Sequence, residues 1–381
     1  MIIFELTCYM ISFVYVLLII QYWIGWHKTE SLQPKNRHSV KNDVFLSVIV
    51  PFRNEENNIQ SLINCLSLQD YPENLYEIIL IDDHSQDKTM EIITNQTQIK
   101  DNLKIIKNQN GEQGKKAALI NGIHKARGEI IVQTDADCTM MSSWLSTIAS
   151  FYKTHEPEMI LAPVIVKSNH KALQSFQEFE NAALITSTCG SAFYNRPILA
   201  NGANLIYKKE VINTSRNPFR KEIPSGDDMF LVLTLARKRN HRIKFLKSAE
   251  APVYTNACKT LNQLKHQKKR WLQKGKYYKD KNITLNGGII ISANLAVLVA
   301  LLFSLITSDW LLFLVIFAAK AAADSLVILS SMLFFKRTLS LHLFLLAHIV
   351  YPIYAVSLML FAFTGKFKWK ERVYKKNIKP T

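Results

Sequence analysis

The chain has 381 residues, 48% of them apolar, and a formal net charge of +17 from 47 Lys and Arg against 30 Asp and Glu. That length accommodates one large domain plus a membrane part. Its five cysteines are scattered, with no Cys-x-x-Cys pair and no Cys/His cluster at metal spacing, which speaks against a disulfide framework or a zinc site. The charge suits a phosphate-bearing ligand or an anionic lipid surface, and no nucleic-acid recognition module accompanies it.

Ile2 to Ile24 is almost wholly apolar and long enough to cross a bilayer, which needs about 20 residues. It lacks a basic leader and a small-x-small cleavage site, so residues 1–27 read as a retained anchor. Lys28, Lys35, Arg37 and Lys41 follow, which puts the N-terminus outside and the next domain in the cytosol. Residues 28–45 form a linker, polar from about Gln33 to Asp43.

Strands and helices then alternate. Leu46–Val50 is a β run ending at Pro51, and Ile59, Leu62, Ile63 and Leu66 have helical spacing. Ile78–Ile81 is a second strand ending in Asp82-Asp83, followed by a short helix over Lys88–Thr94 and a third strand over Leu103–Ile106. Lys115–Ala126 is helical, and Ile130–Val132 is a fourth strand, with Asp135 and Asp137 beyond its end. Trp144, Leu145, Ile148, Phe151 and Tyr152 mark the next helix. Ile160–Val166 is a strand, Lys171–Thr188 a helix, Asn204–Tyr207 a short strand entered through Asn201-Gly202-Ala203. Met229–Arg237 is a helix opened by Gly226-Asp227-Asp228, Ile243–Leu246 a strand, and Thr260–Asp280 one long basic helix. Such repetition predicts an α/β domain over 46–282, with a parallel sheet covered by helices on both faces.

Residues 283–365 hold three apolar segments, Gly287–Thr307, Trp310–Phe335 and Leu339–Phe363, each sufficient for one span. Within them Lys320 and Asp324 stand four apart, the spacing of a self-neutralising helical pair. Residues 366–381 are a basic tail. The expected location is the plasma (inner) membrane, multi-pass. Three full spans place the tail outside, whereas the positive-inside rule wants it inside. A re-entrant or interfacial segment, or a turn back near Pro352, would reconcile them.

Asp135 and Asp137 end a strand where open α/β sheets bind ligands, and two hard oxygen ligands there suit a divalent cation carrying a diphosphate. A lone Asp-x-Asp is more ordinarily a helix cap and a turn. The other motifs reverse those odds: Val50-Pro51-Phe52-Arg53-Asn54-Glu55, Asp82-Asp83-His84-Ser85-Gln86-Asp87, Gly114-Lys115-Lys116-Ala117-Ala118, Gly226-Asp227-Asp228 and Gln267-Lys268-Lys269-Arg270-Trp271. Together they resemble the membrane-bound family 2 glycosyltransferases, including the processive synthases of cellulose, chitin, hyaluronan and poly-N-acetylglucosamine. The resemblance runs from about Ser47 to Gly275.

The resemblance implies a GT-A fold, Rossmann-like, and an inverting transfer from a nucleotide-sugar, a UDP-sugar by expectation, to a growing polysaccharide. A single transfer to a lipid acceptor is the alternative, because ceramide glucosyltransferases resemble the Gln-x-x-Arg-Trp arrangement too, and a catalytically dead membrane scaffold is the third reading. Asp83, with Asp82, is similar to the nucleoside contact, and Lys115 to a nucleotide holder. Asp137 resembles the metal ligand for Mg2+ or Mn2+, with Asp135 assisting at ribose or metal. Asp228 resembles the catalytic base beside Asp227, where many relatives have Glu-Asp. Gln267 and Trp271 resemble acceptor contacts, and Arg270 a contact to the diphosphate. The implied partners are a nucleotide-sugar donor, a saccharide or lipid-linked acceptor and membrane lipids. A partner subunit is compatible with the sequence. The chemistry agrees: a metal and Arg270 stabilise charge building on the leaving diphosphate, and a carboxylate takes the proton of the attacking hydroxyl.

Overall fold

The computed structural model describes residues 1–33, 44–96, 101–108, 113–214, 216–220, 222–223, 225–238, 242–275, 277–362, 367–369 and 372–374. Most of the expected linker, including Lys35, Arg37 and Lys41, and the end of the basic tail lie outside them. In chain order the elements are α1 Ile2–Lys28, β1 Leu46–Phe52, α2 Ile59–Ser67, β2 Tyr76–Asp82, α3 Thr89–Gln96, β3 Leu103–Lys107, α4 Lys115–Lys125, β4 Ile130–Gln133, β5 Thr139–Met140 and α5 Trp144–His155. There follow β6 Met159–Leu161, β7 Val164–Lys167, α6 Ala172–Phe193, β8 Leu205–Lys208, α7 Asp227–Ala236, β9 Ile243–Phe245, β10 Val253–Asn256, α8 Leu261–Gly275, α9 Lys281–Thr307, α10 Leu311–Phe334 and α11 Leu341–Ala362. The short strands Phe367–Trp369 and Arg372–Tyr374 come last. The chain divides into two compact units, one of Met1–Thr29, Lys167–Ile198 and Ala257–Phe367, the other of Glu30–Val166, Leu199–Asn256 and Lys368–Thr381.

The α/β unit is built on a seven-stranded sheet of order β3-β2-β1-β4-β8-β6-β9. Its first four strands are parallel. β8, however, runs antiparallel to both β4 and β6, so the sheet is mixed and not parallel throughout. The reason lies in the connection: α6, between β7 and β8, belongs to the other unit, so no crossover helix of this unit delivers β8 in the parallel sense. Leu62, Leu66, Trp144 and Ile148 of α2 and α5 pack with Val48 and Val50 on one sheet face. On the other, a Cβ at Gly122 of α4 would meet Ile81 at 2.7 Å, so glycine permits a close approach.

Several boundaries depart from expectation. β1 continues through Pro51 because its pairing with β4 ends at Ile49, so the missing N–H falls beyond that ladder. The strand expected over Ile160–Val166 breaks at Ala162-Pro163 into β6 and β7. There the Pro163 carbonyl accepts from Val253 N at 3.1 Å and Asn204 Nδ2 at 2.8 Å, and β7 joins a second sheet of order β5-β10-β7. The long helix expected to Asp280 ends at Gly275. Asp280 caps α9 instead, its Oδ1 accepting from Ile283 N at 3.0 Å.

Glu77 fixes the parallel half. Its carboxylate is fully buried and accepts from Ser47 Oγ (2.7 Å), Arg127 N (2.5 Å) and Lys104 Nζ (2.9 Å). Burial pushes its pKa up, but the Arg127 N–H, Lys104 and Ser47 outweigh it and hold the group below its ordinary value of 4.5. A depressed carboxylate contributes stability above its unfolded pKa and loses it as pH falls through the folded one. We expect Glu77→Gln to cost about 1–3 kcal/mol at neutral pH. Melting temperatures of the full chain should converge between variant and wild type as the pH drops below 4.5.

Among the described residues, the helical unit contains four helices long and apolar enough to cross a membrane: α1, α9, α10 and α11 up to Phe361. α6 is its hub. It runs to Phe193, past the expected Thr188, and its Gly190 meets Gly25 of α1, where a Cβ on Gly25 would lie 2.6 Å from the Gly190 carbonyl. Backbones approach this closely only without side chains. Gly190→Ala should therefore cost about 1–3 kcal/mol by forcing the helices apart, measured as a lower melting temperature in detergent. Thr186 Oγ1 donates to the Val327 carbonyl of α10 at 2.7 Å, and Arg337 pairs with Glu178 at 2.7 Å. The expected intrahelical pair is present: Lys320 Nζ lies 2.6 Å from Asp324 Oδ2, Tyr15 of α1 donates to the other Asp324 oxygen, and the ammonium faces the Tyr15 and Tyr351 rings at 5.2 and 5.1 Å.

Candidate active site

The site grows from the carboxyl ends of β1, β2 and β4, where parallel strands leave loops free to hold ligands. The β1 and β2 loops are laced together. Arg53 Nη1 donates to the Asp83 and His84 carbonyls at 2.8 and 2.9 Å, and Gln86 N donates to Asn54 Oδ1 at 2.9 Å. Asn54 and His84 take left-handed φ of 50° and 60°, which turns both loops sharply. Asp82 Oδ1 accepts from Ser85 N at 2.9 Å. Asp83 is buried, and its Oδ1 accepts from Gly114 N at 2.9 Å and Asn108 Nδ2 at 3.2 Å. Asp83 thus anchors the entrance of α4, next to Lys115.

Lys115 is where the expected residues converge. Its Nζ lies 2.6 Å from Asp135 Oδ1 and 3.8 Å from Asp227 Oδ2. Burial disfavours the ammonium, but the Asp135 and Asp227 charges, with Asp228 beyond them, override it and raise the lysine above its ordinary value of 10.5. Asp227 is the first residue of α7, not a side-chain cap. Gly226 before it has a left-handed φ of 89°. The Asp227 carboxylate is buried and accepts from Gln133 Nε2 at 3.0 Å, while Tyr207 donates to Gln133 Oε1 at 3.2 Å. Asp228, half-buried, accepts from Met229 N at 2.8 Å and Gly202 N at 3.3 Å.

Gln133, Tyr207 and Gly202 were not among the expected site residues. Gln133 carries a readable signal, a polar residue closing a buried apolar strand directly before Thr134-Asp135. Gly202 is required by proximity: a Cβ there would meet Gln133 Nε2 at 2.7 Å and Asp227 Oδ2 at 3.2 Å. Lys116, the second lysine of its motif, points elsewhere, donating to the Phe219 and Arg220 carbonyls at 2.6 and 3.0 Å.

Asp137 stands exposed, two residues beyond Asp135. Among the described residues no group of three or more His, Cys, Asp and Glu side chains gathers around a point. One or two carboxylates fit Mg2+ or Mn2+ of the kind that completes its shell with substrate phosphates and water. Cys138 beside them is buried; burial first, then the Asp137 and Asp135 charges, push its thiol well up, in keeping with a filler and not a nucleophile. Gln267, Arg270 and Trp271 lie on α8, in the helical unit. Gln267 and Arg270 are half-buried and Trp271 is exposed.

The motif order and this sheet can be set against known proteins. Residues 47–217 match the model of glycosyl transferase family 2. That stretch is similar to family 2 glycosyltransferase domains, and its Rossmann-like mixed sheet is the GT-A fold. The mannosyltransferase PcManGT of Pyrobaculum calidifontis, solved with GDP-Man and Mn2+, superposes with a TM-score of 0.58 at 18% identity. The superposition covers 92% of this chain and 98% of that one. The glycosyltransferase AglE of Haloferax volcanii is 29% identical over 49% of this chain and 59% of its own length. A GalNAc(5)-diNAcBac-PP-undecaprenol beta-1,3-glucosyltransferase of Campylobacter jejuni is 36% identical over 27% of this chain and 33% of its own. The matches thus span about a third to three-fifths of these curated relatives.

Proposed function

We propose that this protein is an inverting hexosyltransferase of the membrane, moving a sugar from a nucleotide-sugar to a lipid-linked acceptor. One observation carries the reading: the Lys115, Asp135 and Asp227 cluster beside Asp228, at the carboxyl end of β4 and the start of α7. Such a cluster meets the two demands of the reaction. The leaving nucleoside diphosphate needs cations, and the attacking hydroxyl needs a base. Asp228 is that base. Asp227, buried and held by Gln133 and Lys115, fixes the backbone from which Asp228 projects. Lys115 faces the diphosphate, and Asp83 and Asp82 frame the nucleoside pocket. Asp137, with Asp135, would hold a Mg2+ or Mn2+ ion, which would supply Lewis-acid charge to the diphosphate. Gln267 and Trp271 meet the acceptor and Arg270 the diphosphate, as in the family the motif resembles. With no covalent nucleophile, direct displacement inverts the anomeric centre.

The lipid-linked acceptor is supported by the four span-length helices and by the undecaprenol-linked acceptor in the name of the Campylobacter relative. The catalytic unit faces the cytosol on the charge argument from the α1 flank. A second reading, extension of a polysaccharide, follows from the resemblance to the processive synthases; the Gln267-x-x-Arg270-Trp271 arrangement fits both readings. Membranes containing the protein, given radiolabelled UDP-glucose, UDP-N-acetylglucosamine or GDP-mannose with Mn2+, distinguish them. One labelled, organic-extractable glycolipid is the expected product. A ladder of water-soluble products would install the second reading, and no label in either fraction would count against both.

A further inference from the structure

The acceptor role of α8 requires that this helix hold one rotation about its axis. Little of it is buried. Of its fifteen residues only Leu264 and Lys268 are enclosed. They stand four apart, on one face. An enclosed lysine is costly unless paired. Lys268 Nζ lies 2.5 Å from Glu180 Oε2 of α6, and both side chains are nearly enclosed, at 9% and 12% exposure. The same ammonium sits 4.5 Å from the centre of the Trp271 ring, one turn on. One turn before Glu180, the Gln177 side chain grips the approach to α8 at both backbone atoms of Cys258, donating to its carbonyl at 3.0 Å and accepting from its N–H at 2.8 Å. α6 thus holds the start of α8 through Gln177 and one face of it through Glu180, while Lys265 of α8 faces the Phe361 ring of α11 at 5.6 Å.

We infer that Glu180 and Lys268 are positioning residues for sugar transfer: their ion pair sets the rotation of α8, and with it the orientation of Gln267 and Trp271 toward the acceptor and of Arg270 toward the diphosphate. The inference rests on the proposed function for what α8 touches, but not for the pair itself. Removing one partner leaves the other charge enclosed and α8 free to turn. Removing both lets Leu264 and an apolar residue 268 seat the helix again.

The test uses the full chain in detergent and in membranes, with Glu180→Gln, Lys268→Met and the double variant. Hydrogen exchange over 261–275 reads the helix without any substrate. We expect faster exchange there in each single variant, unchanged exchange over 46–140, and partial recovery in the double. Transfer is then read with whichever of UDP-glucose, UDP-N-acetylglucosamine or GDP-mannose the wild type turns over. The singles should lose at least tenfold in kcat, with the donor KM rising as Arg270 turns from the diphosphate, and the double should regain at least threefold in kcat over either single. Unchanged exchange over 261–275 in both singles, or additive losses in the double, would overturn the inference. If Asp228→Asn keeps full transfer, the proposed function fails, and the exchange result still decides whether the pair holds α8.

Discussion

Asp228→Asn is expected to lower sugar transfer by about 10²–10⁴-fold, the range a positioned general base contributes. The amide keeps one oxygen, which can accept from Met229 N as Oδ1 does at 2.8 Å, while its NH2 replaces Oδ2 and gives up the longer 3.3 Å bond from Gly202 N. Losing that one bond at a half-buried group should change folding stability by about 1 kcal/mol. Steady-state kinetics separates the effects: kcat falls while the donor KM stays within about twofold, because a base acts on the acceptor hydroxyl only as it attacks. Equal losses in kcat/KM for donor binding and in melting temperature would make Asp228 a structural residue.

Lys115→Met has the second largest expected effect, and it acts on binding and stability together. Its ammonium lies between Asp135 and Asp227 at 2.6 and 3.8 Å. Without it two carboxylates lose a shared counter-charge, and Asp227 is the more buried of them. Breaking an enclosed pair costs about 3–5 kcal/mol. Because Lys115 and Asp135 retain part of their solvent contact, a loss of about 1–3 kcal/mol is expected. Nucleoside diphosphate affinity should fall about tenfold, as for loss of one charge-assisted contact to a phosphate. Calorimetric titration of UDP and GDP with Mn2+ measures the second effect, and thermal unfolding the first. Tighter binding in the variant would contradict the assignment of Lys115 to the diphosphate.

The parts of this molecule that were legible in the sequence are those set by local periodicity. Apolar runs such as Ile78–Ile81 and Ile130–Val132 can only be buried strands between helices, and apolar stretches of about 20 residues can only be long hydrophobic helices. Strand direction was not legible. β8 is a strand by composition, but its antiparallel pairing follows from the excursion of the chain through α6, a non-local fact. The break at Pro163 and the cap at Asp280 had local signals that a long apolar or basic run obscured. At the site, the acidic pairs stand at strand ends and a helix start as their sequence positions implied, although each pair alone reads equally as a cap or a turn. Gln133, Tyr207 and Gly202 were not, since each acts by supporting Asp227 or Asp228 across the sheet. Glu180 and Lys268 were similarly hidden: nothing in a basic helix marks which lysine faces inward.

The central claim is that the cluster around Asp228 and Lys115 transfers sugar from a nucleotide-sugar. Release of free nucleoside diphosphate by membranes containing the full chain tests it most directly, across UDP- and GDP-sugars, with Mn2+ and with EDTA, for wild type and Asp228→Asn. The account predicts release from one donor class, dependent on the metal and lost in the variant. Release that persists equally in Asp228→Asn, or no release from any donor in membranes supplied with acceptor lipid, would contradict it.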